Sequence, residues 1–159
     1  MMRRLSLGAL AAALVFGMAA VGCGNGIDPA LNGRWTYYSD DETPIESFFI
    51  FNDGNWMSNF LGLDFKGTYT AGGNAITLTP THMHENGFTG TNNWYTRSEI
   101  RAPLIAAQGE MPTEATDWWL NALFTPLAAT YSIVDSSLNL TFTSRDGVTT
   151  VAITATRQP

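Results

Sequence analysis

Hydrophobic and polar residues alternate at every second position over most of the chain, and turn residues interrupt the alternation at short intervals. Runs of this kind are typical of antiparallel strands that bury one face. In the segment 64–71, for example, Phe65, Gly67 and Tyr69 fall on one face and the polar residues fall on the other. The pattern predicts eight strands, at 34–39, 46–52, 55–61, 64–71, 75–83, 130–134, 138–143 and 148–157.

Short turns join most of these strands. Asp53-Gly54 and Asp146-Gly147 are strong hairpin signals, because Asp and Gly tolerate the positive φ angles of tight turns. Strands that follow one another through hairpins form a meander, and closing the meander into a barrel removes its exposed edges. We therefore predict an all-β fold, an eight-stranded antiparallel up-and-down barrel, over residues 33–159.

The segment 84–127 does not follow this pattern. It is too long for a structureless loop in a compact domain, so it is expected to hold structure or function. Its sequence predicts a helix at 114–124 with Thr113 as N-cap, and an additional strand at 94–100. Connections of an up-and-down barrel alternate between its ends. This insert should therefore overhang the open end, opposite the start of the first strand.

The N-terminal residues have the plan of an export signal. Arg3 and Arg4 precede an apolar run at 5–21, and small residues lead to Cys23. The run is at the short end of the range for a membrane-spanning helix, which is the second interpretation. We expect residues 1–22 to be a cleaved signal peptide and residues 23–32 to be a short spacer.

The residues around the cleavage point carry a resemblance. Ala20-Val21-Gly22-Cys23 is similar to the bacterial lipobox. That resemblance implies diacylglyceryl attachment to Cys23, with acyl chains such as palmitate anchoring the protein to a membrane. Gly24, where an inner-membrane lipoprotein of enteric bacteria often has Asp, favours the outer membrane in a Gram-negative host. The alternative is an ordinary secretory signal without lipidation.

Composition and charge limit the function classes. One cysteine cannot form a disulfide within its own chain. The formal net charge is −6, and loss of the signal leaves six basic against 14 acidic residues. An acidic domain of this kind lacks the basic patch that a nucleic-acid binder needs. We expect no nucleic-acid partner and no cofactor.

A second resemblance lies at the two ends of the predicted barrel. Gly33-Arg34-Trp35 opens the first strand, and Arg157 ends the last one. A G-x-W at this place resembles the lipocalins and the wider calycin group, and 67–79 resembles small bacterial lipoproteins with a lipocalin-like domain. The resemblance implies that Trp35 closes one barrel end, that Arg157 packs across its indole, and that the barrel encloses an apolar cavity.

Aromatic residues predicted to face the interior, or to lie in the insert, are the candidate ligand contacts. Ligand sites are concave and rich in such side chains. The alternative is that the same rings fill the barrel and dock the helix, leaving no cavity. The candidates are Tyr37, Phe49, Phe51, Phe65, Tyr69, Trp94, Trp118, Trp119 and Tyr131.

Signals for metal binding and catalysis are sparse. His82 and His84 would share one face of a strand, but zinc normally needs a third and a fourth ligand and the chain has no other histidine. Glu85, Glu99 or Asp64 could complete such a site only through folding. No nucleophile elbow, phosphate loop or zinc-protease motif is present. We therefore expect no enzyme, and polar rather than metal-ligating histidines.

Together these features predict a lipid-anchored lipoprotein of the bacterial cell envelope. Its lipocalin-like barrel would bind a small hydrophobic or amphipathic ligand without catalysis. The alternative is an envelope protein–protein interaction module whose barrel is filled by its own side chains. An enzyme on a calycin scaffold is a third hypothesis. The presence of an internal cavity distinguishes the first two.

Overall fold

A computed structural model describes residues 26–39, 44–60, 63–84, 92–108, 113–144 and 147–159. A 3-10 helix at Pro29–Leu31 precedes the first strand. The strands are β1 (Gly33–Tyr38), β2 (Glu46–Asn52), β3 (Asn55–Phe60), β4 (Leu63–Gly72), β5 (Ala75–His84), β6 (Trp94–Tyr95), β7 (Leu127–Val134), β8 (Ser137–Thr143) and β9 (Thr150–Arg157), and the helices are α1 (Arg97–Gln108) and α2 (Thr113–Leu123).

Eight of the strands form a closed antiparallel barrel. Consecutive strands pair from β1 to β5 and from β7 to β9, while β5 pairs with β7 and β9 pairs with β1 to complete the circle. The prediction of an all-β, eight-stranded up-and-down barrel is confirmed. The β1–β9 ladder is short, with Trp35 opposite Arg157 and Thr36 opposite Thr156.

Turn chemistry explains the hairpins. Asp53 and Gly54 both have positive φ angles, 45° and 85°, as a two-residue type I′ turn between β2 and β3 requires. Asp135 adopts φ 54° in the turn between β7 and β8. These turns lie at the same barrel end as the start of β1, which we call the base. The opposite end is the mouth.

A close approach between β4 and β5 depends on a glycine. The register shifts between Lys66 and Gly67, so the ladder is irregular there. A Cβ at Gly67 would lie 1.9 Å from the carbonyl oxygen of Thr79. Glycine is therefore required by space at this position, whatever its φ angle.

The insert contains a two-residue strand, β6, and two helices rather than a longer strand and one helix. The strand predicted at 94–100 is wrong beyond Tyr95, because α1 begins at Arg97. The helix predicted at 114–124 is confirmed as α2. Because β5 runs from base to mouth and β7 starts at the mouth, both helices connect at the mouth. We call α1 and α2 together the cap.

One hydrophobic core runs through the barrel and the cap. The buried residues alternate along each strand, and those of the cap belong to the same cluster. Side chains without measurable exposure include Trp35, Leu78 and Leu140 from the barrel and Ile100, Leu104 and Leu120 from the cap. The cap therefore covers the barrel interior rather than its outer wall.

Candidate functional site

Trp35 closes the base of the barrel. Its side chain has no measurable exposure, and its Nε1 donates a hydrogen bond to the carbonyl oxygen of Leu31 at 2.7 Å. The Arg157 guanidinium carbon lies 4.4 Å from the centroid of the indole ring, a cation–π distance. Arg157 also donates to the carbonyl oxygen of Ala30. The base is thus closed by a packed, hydrogen-bonded plug.

The segment before β1 completes this plug. Gly26 forms a bridge with Ala71, and Leu31 is fully buried. The Asp28 carboxylate caps the 3-10 helix by accepting from the amide of Ala30 at 2.9 Å. It also accepts from the Tyr131 hydroxyl at 2.6 Å. The part of the spacer that follows residue 25 is therefore packed onto the barrel.

Packed aromatic rings line the barrel interior between the base and the mouth. Tyr37 and Phe49 stack with centroids 5.5 Å apart, and Phe49 and Phe51 stack at 6.1 Å. The Phe51 ring meets Tyr69 edge to face at 5.1 Å. Phe49, Phe51 and Tyr69 are buried and Tyr37 is partly buried. These four rings form a continuous row through the barrel, which we call the aromatic column.

Four residues with a polar group lie on the inward faces of β1, β2 and β3, and one of them, Tyr37, also belongs to this column. We call them the polar wall: Tyr37, Ser47, Trp56 and Ser58. Burial raises the pKa of Tyr37 to about 12, partly offset by a hydrogen bond with the Ser47 side chain. The phenol is therefore neutral at physiological pH.

Two members of the polar wall have no hydrogen-bond partner. Trp56 is 4% exposed and Ser58 is fully buried, and neither the indole Nε1 nor the hydroxyl oxygen is bonded. Each buried group left unpaired costs about 1–3 kcal/mol. Native proteins keep few such groups, and each one calls for an explanation such as a ligand or an ordered water.

The cap is built by local signals at its N-terminus and by one ion pair. Glu99 accepts hydrogen bonds from the amide and the hydroxyl of Thr96, at 2.8 and 2.7 Å, and the amide bond is the glutamate half of a capping box at the start of α1. The Thr96 amide is the main cause of the lowered pKa of Glu99. Arg101 then joins α1 to Asp117 of α2 through a bidentate contact. The cap is a defined two-helix unit.

The buried face of α2 also carries an unpaired hydroxyl. Thr116, Leu120 and Leu123 are all buried, and the Thr116 Oγ1 has no hydrogen-bond partner. Their spacing of four and three residues places them on one helix face. The underside of the cap therefore combines apolar contact with a polar group that is available for bonding.

The sequence-predicted ligand contacts separate into three groups. Tyr37, Phe49, Phe51 and Phe65 face the barrel interior, and Trp119 packs partly buried against the same core. Tyr69 and Tyr131 are buried, but their hydroxyls bond Asn32 and Asp28 at the base. Trp94 and Trp118 lie outside the interior. The three groups are therefore interior contacts, base residues and surface residues. Within the first group, Phe65 is the strand partner of Ser58.

Trp94 and Trp118 are the two predicted ligand contacts that the structure places outside the barrel interior. Trp94 lies against the outward side chains of Lys66 and His84, with its ring centroid 4.8 Å from the Lys66 ammonium and 5.1 Å from the His84 ring. Trp118 is 51% exposed because it projects from the outer face of α2. Trp56 and Ser58 lie in the interior instead. Their i, i+2 spacing in 55–60 is the signal that could have found them.

His82 and His84 lie on the side of β5 opposite the buried Met83. The His82 Nδ1 is 2.9 Å from the Thr81 hydroxyl. Among the residues that the structure describes, no group of three or more His, Cys, Asp or Glu could hold a metal ion. Glu85, the neighbouring candidate ligand, lies outside the described residues.

The predicted anchor residue, Cys23, also lies outside the described residues, as does the whole predicted signal peptide. In the described ranges, neither helix has the length and apolar character needed to cross a bilayer.

Comparisons with known proteins assign no family. No protein-family model matches the chain, and no curated protein matches it either. The likeness to lipocalins therefore consists of the closed eight-stranded barrel together with the Trp35–Arg157 contact at its base.

Proposed function

We propose that the chain is an exported envelope protein, anchored through lipidated Cys23, whose barrel binds a small hydrophobic or amphipathic molecule beneath the cap without catalysis. The observation that carries the ligand proposal is the construction of the two barrel ends. The base is closed by a plug centred on Trp35. The mouth is closed by a separate two-helix insert whose apolar face belongs to the interior core.

Access to the interior requires the cap to move. The contacts of the cap with the barrel are mainly those of α1 with β5 and β6, and α2 packs chiefly on α1. A two-helix unit attached along one side can swing as a lid, and lids of this kind commonly gate enclosed sites. A ligand that enters at the mouth would contact Tyr37, Phe49 and Phe51 of the aromatic column.

Native mass spectrometry of the full chain purified from its membrane tests ligand binding. We expect a population that carries a noncovalent adduct, released by organic extraction and identified as an apolar or amphipathic small molecule. Chain that is free of adduct in every preparation, and that acquires none from an extract of the host membrane, contradicts the proposal.

The anchor has its own test. Replacing Cys23 by Ser should move the protein from the membrane fraction to the soluble fraction and abolish incorporation of labelled palmitate. A Ser6→Ala variant, also within the predicted signal but away from the cleavage point, is the matched control and should stay at the membrane. A Cys23→Ser protein that still incorporates labelled palmitate as the wild type does refutes lipidation at Cys23.

A second candidate function is favoured by the packing of the interior. Phe49, Phe51 and Leu140 are at most 2% exposed, as expected where interior side chains pack against one another. At the mouth end, Tyr38 and Ile45 are more than half exposed. These features support a protein–protein interaction module. A chain that stays free of adduct and whose partner binding is lost in a Tyr38→Ser, Ile45→Ser variant supports this second candidate.

A further inference from the structure

The polar wall divides the barrel interior into two chemically different sides. Trp56 and Ser58 are two residues apart on β3, so both side chains point inward on the same face. Their strand partners on β2 are Phe51 and Phe49, members of the aromatic column. The inward residues across the barrel, on β8 and β9, are hydrocarbon: Leu138, Leu140, Phe142, Ile153 and Ala155.

Such an interior matches a molecule with a polar edge and an apolar body. The indole Nε1 of Trp56 is a donor only, and the Ser58 hydroxyl can donate as well as accept. Both are unbonded in this structure. An oxygen acceptor that reached them would pair two groups that are otherwise buried without partners.

The charge around these donors restricts the acceptor. Of the basic residues near the barrel wall, Lys66 points outward to Trp94 and Arg157 lies over Trp35 at the base. Among the described residues that are buried in the interior, none is basic. A carboxylate or phosphate would therefore be enclosed without a counter-charge, which is strongly unfavourable.

From these relationships, and resting on the proposed ligand binding, we infer that Trp56 Nε1 and Ser58 Oγ donate hydrogen bonds to a neutral carbonyl oxygen of the ligand. The ligand class is a ketone or ester with an aliphatic or aromatic body, rather than a free fatty acid. The apolar body would pack along the hydrocarbon side and against the Phe49 ring.

Titration of the purified full chain with matched nine-carbon probes tests this inference. The probes are 2-nonanone and nonanoate, with binding measured by calorimetry at pH 8. The ketone should bind at least about tenfold more tightly than the carboxylate, the difference that one well-placed hydrogen bond and an avoided buried charge would produce. Equal or tighter binding of nonanoate overturns the inference.

Two conservative variants identify the donors. Trp56→Phe and Ser58→Ala should each weaken 2-nonanone binding by roughly three- to tenfold. Ser58→Ala should leave the thermal midpoint of the ligand-free chain unchanged or raised, because it removes an unpaired buried group. Trp56→Phe should lower it modestly, because the smaller ring also leaves buried volume empty. Trp118→Phe and Ser132→Ala, at exposed positions, are the matched controls and should change neither quantity.

The outcomes distinguish failure of the donor assignment from failure of the proposed ligand binding. If the wild-type chain binds both probes but Trp56→Phe and Ser58→Ala bind 2-nonanone as wild type does, the donor assignment is wrong and ligand binding stands. If neither probe binds and the chain also carries no adduct from its membrane, ligand binding and the donor assignment fail together.

Discussion

The Arg101 guanidinium and the Asp117 carboxylate form two hydrogen bonds, Nε to Oδ1 at 2.6 Å and Nη2 to Oδ2 at 2.9 Å, that join the two helices of the cap. One turn earlier on α1, Arg97 donates to Asn121 of α2 at 2.5 Å. Positions 97 and 101 are four residues apart, as are 117 and 121, so the helices meet along matching polar rows. The cap can therefore move as one body.

Breaking this pair should loosen the cap more than the barrel. Asp117→Asn removes the charge from a bidentate contact, so we expect limited proteolysis within the cap to become several-fold faster while the barrel strands stay protected. Glu114→Gln, an exposed acid on the same helix, is the control and should leave the cleavage rate unchanged. Equal rates in wild type and Asp117→Asn would show that the pair does not hold the cap.

The same contact predicts a pH dependence. The hydrogen bonds from Arg101 are the main cause of the lowered pKa of Asp117. A carboxylate whose pKa is lowered on folding stabilises the fold fully above its unfolded pKa, and the contribution is lost as pH falls through the folded value. Cap protection measured by hydrogen exchange should therefore decrease in acid, and Asp117→Asn should remove that part of the decrease.

Removing the indole of Trp35 should be among the most damaging single changes to the barrel. Trp35→Ala leaves a cavity under Arg157 and deletes the hydrogen bond to Leu31, so the free energy of unfolding should fall by about 3–5 kcal/mol. Trp118→Ala, at a half-exposed position, should cost at most about 0.5 kcal/mol. Denaturant unfolding measures both, and comparable losses would contradict the plug assigned to Trp35.

Gly67 should tolerate no side chain. Gly67→Ala places a methyl group 1.9 Å from the Thr79 carbonyl oxygen, so β4 and β5 must separate locally. We expect a loss of about 3 kcal/mol in the free energy of unfolding. Gly26→Ala is the control, because its Cβ would lie at an ordinary 3.4 Å from Ala71. A fully stable Gly67→Ala variant would refute the close approach of the two strands.

Tyr131 should make the base sensitive to alkaline pH. Burial, and then the hydrogen bond to Asp28, raise the pKa of Tyr131 from 10.0 to about 12. A raised pKa stabilises the fold fully below the unfolded value, and that contribution is lost as pH rises from about 10 through 12. Unfolding free energies should decline over this range, with a shallower decline in Tyr131→Phe. Burial also raises the pKa of Tyr37 to about 12, so the decline that remains in Tyr131→Phe is assigned to Tyr37. Identical slopes would contradict burial of the Tyr131 phenol.

Much of the barrel could be predicted from the sequence because strand alternation is a local signal. Asp53-Gly54 fixed one hairpin, and its positive φ angles are those that the dipeptide favours. The lipocalin-like resemblance also led to Arg157, which is 122 residues away from Trp35 in sequence and lies over its ring. Residue type and position were sufficient to predict both features. The hairpin depends on two adjacent residues, and the Trp35–Arg157 contact depends on which residues open the first strand and end the last one.

The cap and the polar wall could not be predicted in the same way. The Thr96–Glu99 pair is readable in the sequence as a helix start, but the predicted strand at 94–100 ran across it. Ser58 is polar, so hydropathy alone places it on the outward face. Only the closed barrel, with Phe49 as its strand partner, turns it inward.

The indole resonances of the ¹⁵N-labelled full chain test the ligand contact most directly. Five tryptophans give five Nε1 signals, and the signal lost in Trp56→Phe identifies Trp56. Titration with 2-nonanone should move the Trp56 signal downfield in a saturable manner, as a newly bonded N–H requires, while the exposed Trp118 keeps its position. A Trp56 signal that stays in place at saturating ketone would contradict a ligand held by the polar wall.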